Sequence, residues 1–292
     1  MNPTVVPHVD LPVFGPIPRG TPRADTVRKL AEIARAIRAR DAEMIAVAGQ
    51  GHIGGDYSSL DILTTLYFAV LRLDPANPRD PERDRFVLSK GHAAGSLYTT
   101  LAAFGLLDPA SLETFMRPLS KLNGHPDRNK VVGVEANTGP LGHGLPIAVG
   151  FALAAKLDGS HRRTFVLTGD GELEEGSNWE AMMTAAHHRL ENLTIITDVN
   201  GLQQGKSTRE TTALAPLADK GRAFGMDVVE VPGHDFDALL GAFEAPPSGR
   251  PKLVLARTVK GHPISFMSDV VAWHHKVPSP DQVRQIVMEL SK

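Results

Sequence analysis

The chain has 292 residues, a formal net charge of −2 and no cysteine. Such a balanced charge provides no strong field to attract nucleic acid or an anionic membrane. The lack of cysteine excludes disulfides, thiolate metal sites and a thiol nucleophile. These properties favour small-molecule chemistry in a soluble, cytoplasmic protein that has neither nucleic acid nor a membrane as its partner.

The first twenty residues are rich in proline and lack the basic start and apolar core of a signal peptide. We interpret residues 1–22 as an extended surface arm and residues 23–292 as one domain, because this length is near the size at which single cores stop growing. The longest mostly apolar stretch, residues 146–157, is shorter than the roughly 20 residues that a membrane span needs.

Two helices are predicted at the start of this domain. In residues 24–48 the apolar positions recur at helical spacing, with Arg and Glu between them. Ser58 followed by Asp61 resembles a capping box. We therefore expect a second helix to begin at Ser58 and to continue as a buried segment over residues 60–71, before Pro75.

Four short apolar runs are predicted to form strands, with helical patterns between the later ones. This alternation is typical of a parallel sheet flanked by helices on both faces, an α/β fold. A capping-box pattern at Ser177 and Glu180 predicts that the helix after the second strand occupies residues 177–190. The predicted strands are residues 86–88, 164–168, 193–197 and 253–259.

Polar residues directly follow two of these strands. Gly169-Asp170-Gly171 follows the second strand, and Asn200 follows the third, thirty residues beyond Asp170. Because ligands of such folds sit at the carboxyl ends of strands, we expect the side chains of Asp170 and Asn200 to lie side by side. A carboxylate, an amide oxygen and a backbone carbonyl suit Mg²⁺ or Ca²⁺ and leave positions for phosphate oxygens.

Each of these short motifs alone is more readily a turn. The pair at this spacing, each after a strand, instead favours a cation that anchors a diphosphate. The two glycines that flank Asp170 allow the backbone to approach the phosphates closely. The sequence therefore predicts a metal–diphosphate site at this edge of the sheet.

The spacing of Gly-Asp-Gly and a terminal Asn resembles the thiamine diphosphate motif, and five further blocks resemble the transketolase family across most of residues 25–280. The resemblance implies the diphosphate-binding (PP) domain of the thiamine diphosphate-binding fold. The blocks are Gly51-His52-Ile53-Gly54-Gly55, Asp84-Arg85-Phe86-Val87-Leu88-Ser89-Lys90-Gly91-His92, Gly124-His125-Pro126, Thr138-Gly139-Pro140-Leu141-Gly142 and Trp273-His274.

The resemblance also implies roles for individual residues. Asp170, Asn200 and the carbonyl of Leu202 would hold the metal. His52 and His125 would face the sugar. Imidazole titrates near neutral pH, which suits the transfer of protons to and from sugar hydroxyls. The catalytic set would be His52, His125, His274 and Glu175, with Glu175 at the interface between paired active sites. The cofactor-binding set would be His92, Gly139, Pro140, Leu141, Gly169, Asp170, Gly171, Glu172, Asn200 and His274.

Three positions depart from the family's pattern. Ile53 stands where Pro is usual, Asp56 where small or apolar residues are common, and His143 where Gln is frequent. An acidic residue near the sugar end would disfavour a donor phosphate by charge repulsion. Asp56 therefore indicates a substrate other than the standard one.

A glycine motif at residues 49–54 fits G-x-G-x-x-G, and Asp74 follows twenty residues beyond its last glycine. This is formally a dinucleotide-binding fingerprint. However, the preceding segment continues the first predicted helix, and the next helix is expected to begin only at Ser58. The required order of strand, turn and helix fails, so we do not favour a dinucleotide site.

Full-length transketolases continue beyond the region of resemblance into further domains. One of these domains supplies the glutamate that activates the cofactor's aminopyrimidine ring. We therefore expect this chain to pair with a separate C-terminal, pyrimidine-binding subunit, as an α2β2 heterotetramer. The complex would transfer a two-carbon ketol unit from a ketose to an aldose, with thiamine diphosphate and Mg²⁺ or Ca²⁺. The sequence leaves open which sugars react, whether they are phosphorylated, and which of the two cations binds.

Two alternatives remain for the function. The α subunit of a 2-oxo acid dehydrogenase shares the Gly-Asp-Gly to Asn motif, but the Ser-Lys-Gly-His and Thr-Gly-Pro-Leu-Gly blocks argue against it. A regulatory or scaffolding remnant would require the predicted metal ligands to be lost, and both side chains are present.

Overall fold

A computed structural model describes residues 5–292. Its centre is a parallel sheet in the order β1-β2-β3-β5-β4. Alternate residues of the strands enter two hydrophobic cores, one on each face, which explains why the strands read as nearly continuous apolar runs. The strands are β1 (Arg85–Leu88), β2 (Thr164–Gly169), β3 (Leu193–Val199), β4 (Asp227–Pro232) and β5 (Lys252–Arg257).

Helices cover both faces of the sheet, so the predicted α/β architecture is confirmed. The first core receives α1, α2, α3, α8 and α9. The second receives α4, α5 and α7. The helices are α1 (Arg23–Ala48), α2 (Ile53–Thr65), α3 (Ala94–Phe104), α4 (Gly144–Leu157), α5 (Gly176–His187), α6 (Thr208–Thr211), α7 (Leu217–Ala223), α8 (Phe236–Glu244) and α9 (Pro280–Leu290).

The four predicted strands are present, with shifted ends. The fourth was expected to reach residue 259 but ends at Arg257, and the Thr258 hydroxyl beyond it donates to the buried carboxylate of Asp198. The fifth strand, β4, was not predicted. It is an edge strand, and only Val231 among its residues is buried, so it lacks the buried apolar run that marks the others.

The predicted start of the second helix was wrong. The helix begins at Ile53 and continues through a π-helical turn, Leu66–Val70, so Ser58 lies inside it. The Ser58 hydroxyl donates to Asp198 at 2.6 Å, and the Asp61 carboxylate accepts from Arg38 at 2.7 Å. Both side chains therefore serve long-range buried contacts rather than a helix cap.

The helix start predicted at Ser177 was also misplaced. Helix α5 begins at Gly176 and ends at His187, and the Ser177 hydroxyl donates to the carbonyl of Gly142 at 2.7 Å. The sequence analysis rejected a dinucleotide site because no strand precedes the glycine motif and no helix was expected to begin within it. Only the first of these two reasons holds. A helix does begin inside the glycine motif, at Ile53, but the preceding element is α1 and not a strand.

The described part of the N-terminal arm, residues 5–22, contains no helix or strand and lies against α1, α3 and the π-helical turn. The N–H of Phe14 donates to Ala103 O at 2.8 Å and that of Ile17 to Phe68 O at 2.8 Å. None of the helices in residues 5–292 is long and apolar enough to cross a membrane.

Candidate active site

The carboxyl ends of β2 and β3 bring Asp170 and Asn200 to one edge of the sheet. These strands pair in parallel, with Gly169 opposite Asp198. The N–H of Gly201 donates to Asp170 Oδ2 at 2.6 Å, so the loop after β3 contacts the carboxylate after β2. The structure therefore brings the loop that bears Asn200 to the carboxylate of Asp170, and both predicted metal ligands line one cavity.

A cavity of about 290 Å³ opens at this edge and contains most of the predicted site. Its walls come from the segments that follow β1, β2, β3 and β5 and from the start of α2. Pro140 and Glu175 are the predicted residues that do not line it. The lining residues are His52, Gly55, Lys90, His92, His125, Gly139, Leu141, Gly169, Asp170, Gly171, Glu172, Asn200, Leu202, Gln203, Gln204, Lys260 and His274.

Three of the predicted histidines form a tight cluster in the cavity. The ring centroid of His52 lies 5.2 Å from that of His92 and 5.7 Å from that of His274, and the latter two are 5.5 Å apart. Burial, followed by neighbouring positive groups, lowers the pKa of His52 to about 4 and that of His274 to about 3. Burial likewise lowers the pKa of His92.

These rings are therefore neutral at pH 7 in the structure, and each can donate from one nitrogen and accept at the other. The expectation that they titrate near neutrality does not hold for this state of the site. The fourth histidine, His125, packs against Gly139, where an added Cβ would lie 3.0 Å from its ring.

Two lysines line the cavity that the sequence analysis did not assign to the site. Lys260 Nζ lies 3.0 Å from His274 Nδ1, and the residue is 2% exposed. Burial and the charge of Lys90 lower the pKa of Lys260 to about 8. Lys90 Nζ contacts Asp198 at 2.6 Å. The signal that could have indicated Lys90 is its place in the Ser-Lys-Gly-His block.

Lys260 has no ion-pair partner among the residues that the structure describes. Its nearest acidic neighbours act on it only at longer range. A buried ammonium without a carboxylate is costly unless an anion approaches it. The histidine side of the cavity is thus suited to an anionic group.

Glu172 fastens the cavity's loops to one another. Its carboxylate accepts from Ser89 Oγ at 2.5 Å and from the N–H groups of Gly142 and Gly169, each at 3.0 Å. Burial raises the pKa of Glu172 despite these bonds. Its oxygens are therefore already engaged by protein donors, which indicates a role in shaping the walls of the cavity.

Close contacts at Gly91 and Gly142 leave no room for a side chain at either position. A Cβ on Gly91 would lie 2.7 Å from the backbone nitrogen of Gly139, so the loops after β1 and before α4 touch directly. Gly142 has a φ of 79°, and a Cβ there would lie 2.5 Å from Ser177 Oγ. Larger residues would force these loops apart.

Asp56 does not face the cavity as expected, whereas the inference of a non-standard substrate stays a prediction. Asp56 lies inside α2, is 1% exposed and does not line the cavity; its Oδ1 accepts from the N–H of Ser96 at 2.9 Å. Burial raises its pKa to about 7. Because Asp56 does not line the cavity, it would not contact a substrate phosphate there. His143 is exposed at the start of α4, and Glu175 is exposed at the start of α5.

Residues 29–290 match the family model described as transketolase, thiamine diphosphate binding domain. The chain is 50% identical over 241 residues to one of the subunits of apulose-4-phosphate transketolase from Actinobacillus succinogenes, covering 82% of this chain and 87% of that protein. It is 40% identical over 261 residues to 6-deoxy-6-sulfo-D-fructose transketolase subunit SqwG of a Clostridium species, covering 89% and 95%.

Longer proteins match in part. Human transketolase is 35% identical over 270 residues, which are 92% of this chain but 43% of that protein. The crystal structure of transketolase from Campylobacter jejuni superposes with a TM-score of 0.84 at 29% identity, covering 91% of this chain and 43% of the other.

Proposed function

The chain belongs to the transketolase family, and we propose that it is the subunit of a split transketolase that holds the diphosphate end of thiamine diphosphate. It covers most of the length of relatives named as transketolase subunits and less than half of full-length transketolases. These relatives fit ketol transfer and not the 2-oxo acid dehydrogenase alternative.

The observation that carries the proposal is the convergence of Asp170 and Asn200 at adjacent strand ends. Burial and the charge of Asp198 raise the pKa of Asp170 to about 6, so its ionised form lacks sufficient positive neighbours. A divalent cation would supply that charge. Asp170, Asn200 and the carbonyl of Leu202 offer the hard oxygen ligands that Mg²⁺ or Ca²⁺ prefers.

The diphosphate would extend from this cation toward the cationic and imidazole side of the cavity. The ammonium of Lys260 is not paired with a carboxylate of residues 5–292, and the neutral rings of His92 and His274 can donate N–H groups to phosphate oxygens. Gly139 and Leu141, with the neighbouring Pro140, would border the cofactor's pyrimidine ring. Bound thiamine diphosphate supplies the electron sink for breaking and forming bonds beside a ketone.

The sugar would enter beside His52 and His125. Neutral imidazoles can accept a proton from a sugar hydroxyl or hold a carbonyl oxygen by donating a hydrogen bond. Because the pKa of His52 is lowered to about 4, it remains an available acceptor at neutral pH. His274 would act at the junction between the sugar and the phosphates. The substrates would be ketoses and aldoses or their phosphates.

We further propose that residues 23–292 form this diphosphate-binding domain, and that residues 1–22 are an arm belonging to it. A separate pyrimidine-binding subunit would complete the site, in an α2β2 complex with Glu175 at the interface between paired active sites. Relatives that are themselves named as transketolase subunits support the existence of such a partner. The exposed position of Glu175 is compatible with a contact to another chain.

Reconstitution with the partner tests this proposal. The chain should show no ketol transfer alone with thiamine diphosphate and Mg²⁺, and should gain it when co-purified with the pyrimidine-binding partner. Screening ketose donors with ribose 5-phosphate and with unphosphorylated aldoses then identifies the substrates. Full activity of the isolated chain would refute the split arrangement, and absence of cofactor uptake by the complex would refute the function.

A further inference from the structure

Asp198 is a fully buried carboxylate directly behind the proposed cation site. It stands near the end of β3, two residues before Asn200, and is 0% exposed. Its Oδ2 accepts from Lys90 Nζ at 2.6 Å and from Ser58 Oγ at 2.6 Å, and its Oδ1 accepts from Thr258 Oγ1. It therefore joins β3 to α2 and to the segments after β1 and β5.

The same carboxylate contacts the amide of Asn200. Asn200 Nδ2 lies 3.3 Å from Asp198 Oδ2 and 3.5 Å from Ser58 Oγ, while Oδ1 accepts from the N–H of Leu202 at 3.1 Å. An amide has one donating and one accepting end, whereas an ionised carboxylate only accepts. Asp198 can therefore be satisfied by only one of the two orientations of this amide.

We propose that Asp198 is a positioning residue for the cation site, in that it draws the NH₂ of Asn200 inward and keeps its Oδ1 available to the metal. This inference rests on the proposed function. Asp198 would not itself be a metal ligand. Its effect passes through Asn200, as outer partners of metal ligands typically act by orienting them.

The charge of Asp198 also explains the position of Lys90. Lys90 Nζ donates to Asp198 and to the carbonyl of Gly55 at 3.1 Å, so the ammonium is held at the cavity wall. Without Asp198 that ammonium would be free to move toward a phosphate. A substitution at Asp198 should therefore weaken cation binding without weakening metal-free diphosphate binding, a combination that general damage to the fold would not produce.

The test measures two dissociation constants on the complex co-purified with the pyrimidine-binding partner. One is for Mg²⁺ at saturating thiamine diphosphate, and the other is for inorganic pyrophosphate in the presence of EDTA, both by calorimetry. In Asp198→Asn we expect the Mg²⁺ constant to rise about 10- to 100-fold, with the pyrophosphate constant equal to or lower than that of the wild type. Thr258→Val is the matched control, because it removes a different donor to Asp198 and should change the Mg²⁺ constant less than about 3-fold.

A rescue variant separates positioning from a structural role. A carboxylate at position 200 has two equivalent acceptor oxygens and needs no orientation. Asp198→Asn combined with Asn200→Asp should therefore recover Mg²⁺ affinity to within about 3-fold of Asn200→Asp alone. The inference would be overturned if Asp198→Asn reduced Mg²⁺ affinity equally with Asn and with Asp at position 200. It would also be overturned if Asp198→Asn alone left the Mg²⁺ constant unchanged.

Folding is controlled by a second pair of variants. Asp198→Asn leaves the buried ammonium of Lys90 without its counter-charge, which could itself disturb the fold. The effect of Asp198→Asn is therefore also measured in a Lys90→Met background, where no buried ammonium remains. Adding Asp198→Asn to Lys90→Met should raise the Mg²⁺ dissociation constant by the same factor as adding Asp198→Asn to the wild type. A wild-type complex that takes up neither cation nor cofactor would instead refute the proposed function, and the inference with it.

Discussion

The backbone N–H of Gly201 donates to Oδ2 of Asp170 across 2.6 Å, which ties the residue after Asn200 to the carboxylate after β2. The other oxygen accepts from the N–H of Gly171 at 2.8 Å. These bonds fix the carboxylate at the cavity wall but do not supply a full positive charge. Burial, with the charge of Asp198, still raises its pKa to about 6.

Replacing Asp170 by Asn should abolish Mg²⁺-dependent cofactor binding. The substitution keeps the shape but removes the charge, and we expect the Mg²⁺ dissociation constant to rise at least about 100-fold. Calorimetry on the complex with the partner measures it. Asp219→Asn, which changes an exposed carboxylate paired with Arg222, is the control and should leave the constant unchanged. Wild-type affinity in Asp170→Asn would contradict the assigned metal ligand.

A buried carboxylate pair behind the site should make stability depend on pH. Among the described residues, both side-chain oxygens of Asp41 and one of Asp56 have no hydrogen-bond partner, and a Cβ on Gly95 would lie 2.7 Å from Asp41 Oδ1 and 2.9 Å from Asp56 Oδ2. Burial, followed by the charge of Asp56, raises the pKa of Asp41, and burial raises that of Asp56 to about 7.

The sign follows from proton uptake. Between the ordinary carboxyl pKa near 4 and the raised pKa of the folded state, the native state binds more protons than the unfolded state, so the free energy of unfolding falls as pH rises. One such proton contributes a slope of about 1.4 kcal/mol per pH unit. In urea unfolding from pH 5 to 8, the stability of Asp41→Asn relative to the wild type should therefore increase as the pH rises.

The exposed carboxylate of Asp219, which pairs with Arg222, provides the control for this experiment. Asp219→Asn should unfold with the same pH dependence as the wild type. Parallel curves for the wild type and Asp41→Asn over the whole range would show that the pair carries no extra proton.

A second buried carboxylate should stabilise the fold through its charge. Asp61 accepts from both terminal nitrogens of Arg38, at 2.9 and 2.7 Å, and from His234 Nδ1 at 2.7 Å. Burial would raise the pKa of Asp61, but Arg38 and His234 outweigh it and lower the pKa to about 2. Asp61→Asn would leave Arg38 buried without a counter-charge and should lower the free energy of unfolding by about 3–5 kcal/mol.

Urea unfolding at pH 7 measures this loss. Asp25→Asn breaks an exposed pair with Arg28 and should change stability by less than about 1 kcal/mol. A loss below 1 kcal/mol for Asp61→Asn as well would mean that solvent reaches Arg38 when the carboxylate is removed.

Local patterns in the sequence predicted the elements that bury continuous apolar surface, and missed those that depend on distant partners. Helix α1 and strands β1, β2, β3 and β5 have strong periodicity or apolar runs, and the juxtaposition of Asp170 with Asn200 follows from strand order. The half-exposed edge strand β4 has no such signal.

The start of α2 was misplaced for a different reason. Ser58 has the chemistry of a helix cap, but its hydroxyl bonds Asp198, 140 residues away in the chain. Lys260 was not assigned to the site because only the fold places it beside His274. Pairings of this kind lie outside the reach of periodicity and capping rules, since nothing in the local sequence specifies the partner.

The last prediction concerns Gly54, where α2 passes under the segment that bears His274. A Cβ on Gly54 would lie 2.5 Å from the carbonyl oxygen of Trp273 and 2.9 Å from Lys260 Cγ, so Gly54→Ala must displace both. Overpacking should cost about 1–3 kcal/mol of stability, while a shift of about 1 Å in His274 and Lys260 should lower ketol transfer by the complex about 100-fold.

Gly241→Ala is the matched control: it lies within α8, and its nearest new contact is 3.7 Å away at the end of the Arg23 side chain. That variant should gain about 0.5–1 kcal/mol through helix propensity and keep wild-type turnover. Retention of wild-type turnover by Gly54→Ala would show that the positions of His274 and Lys260 do not limit the reaction.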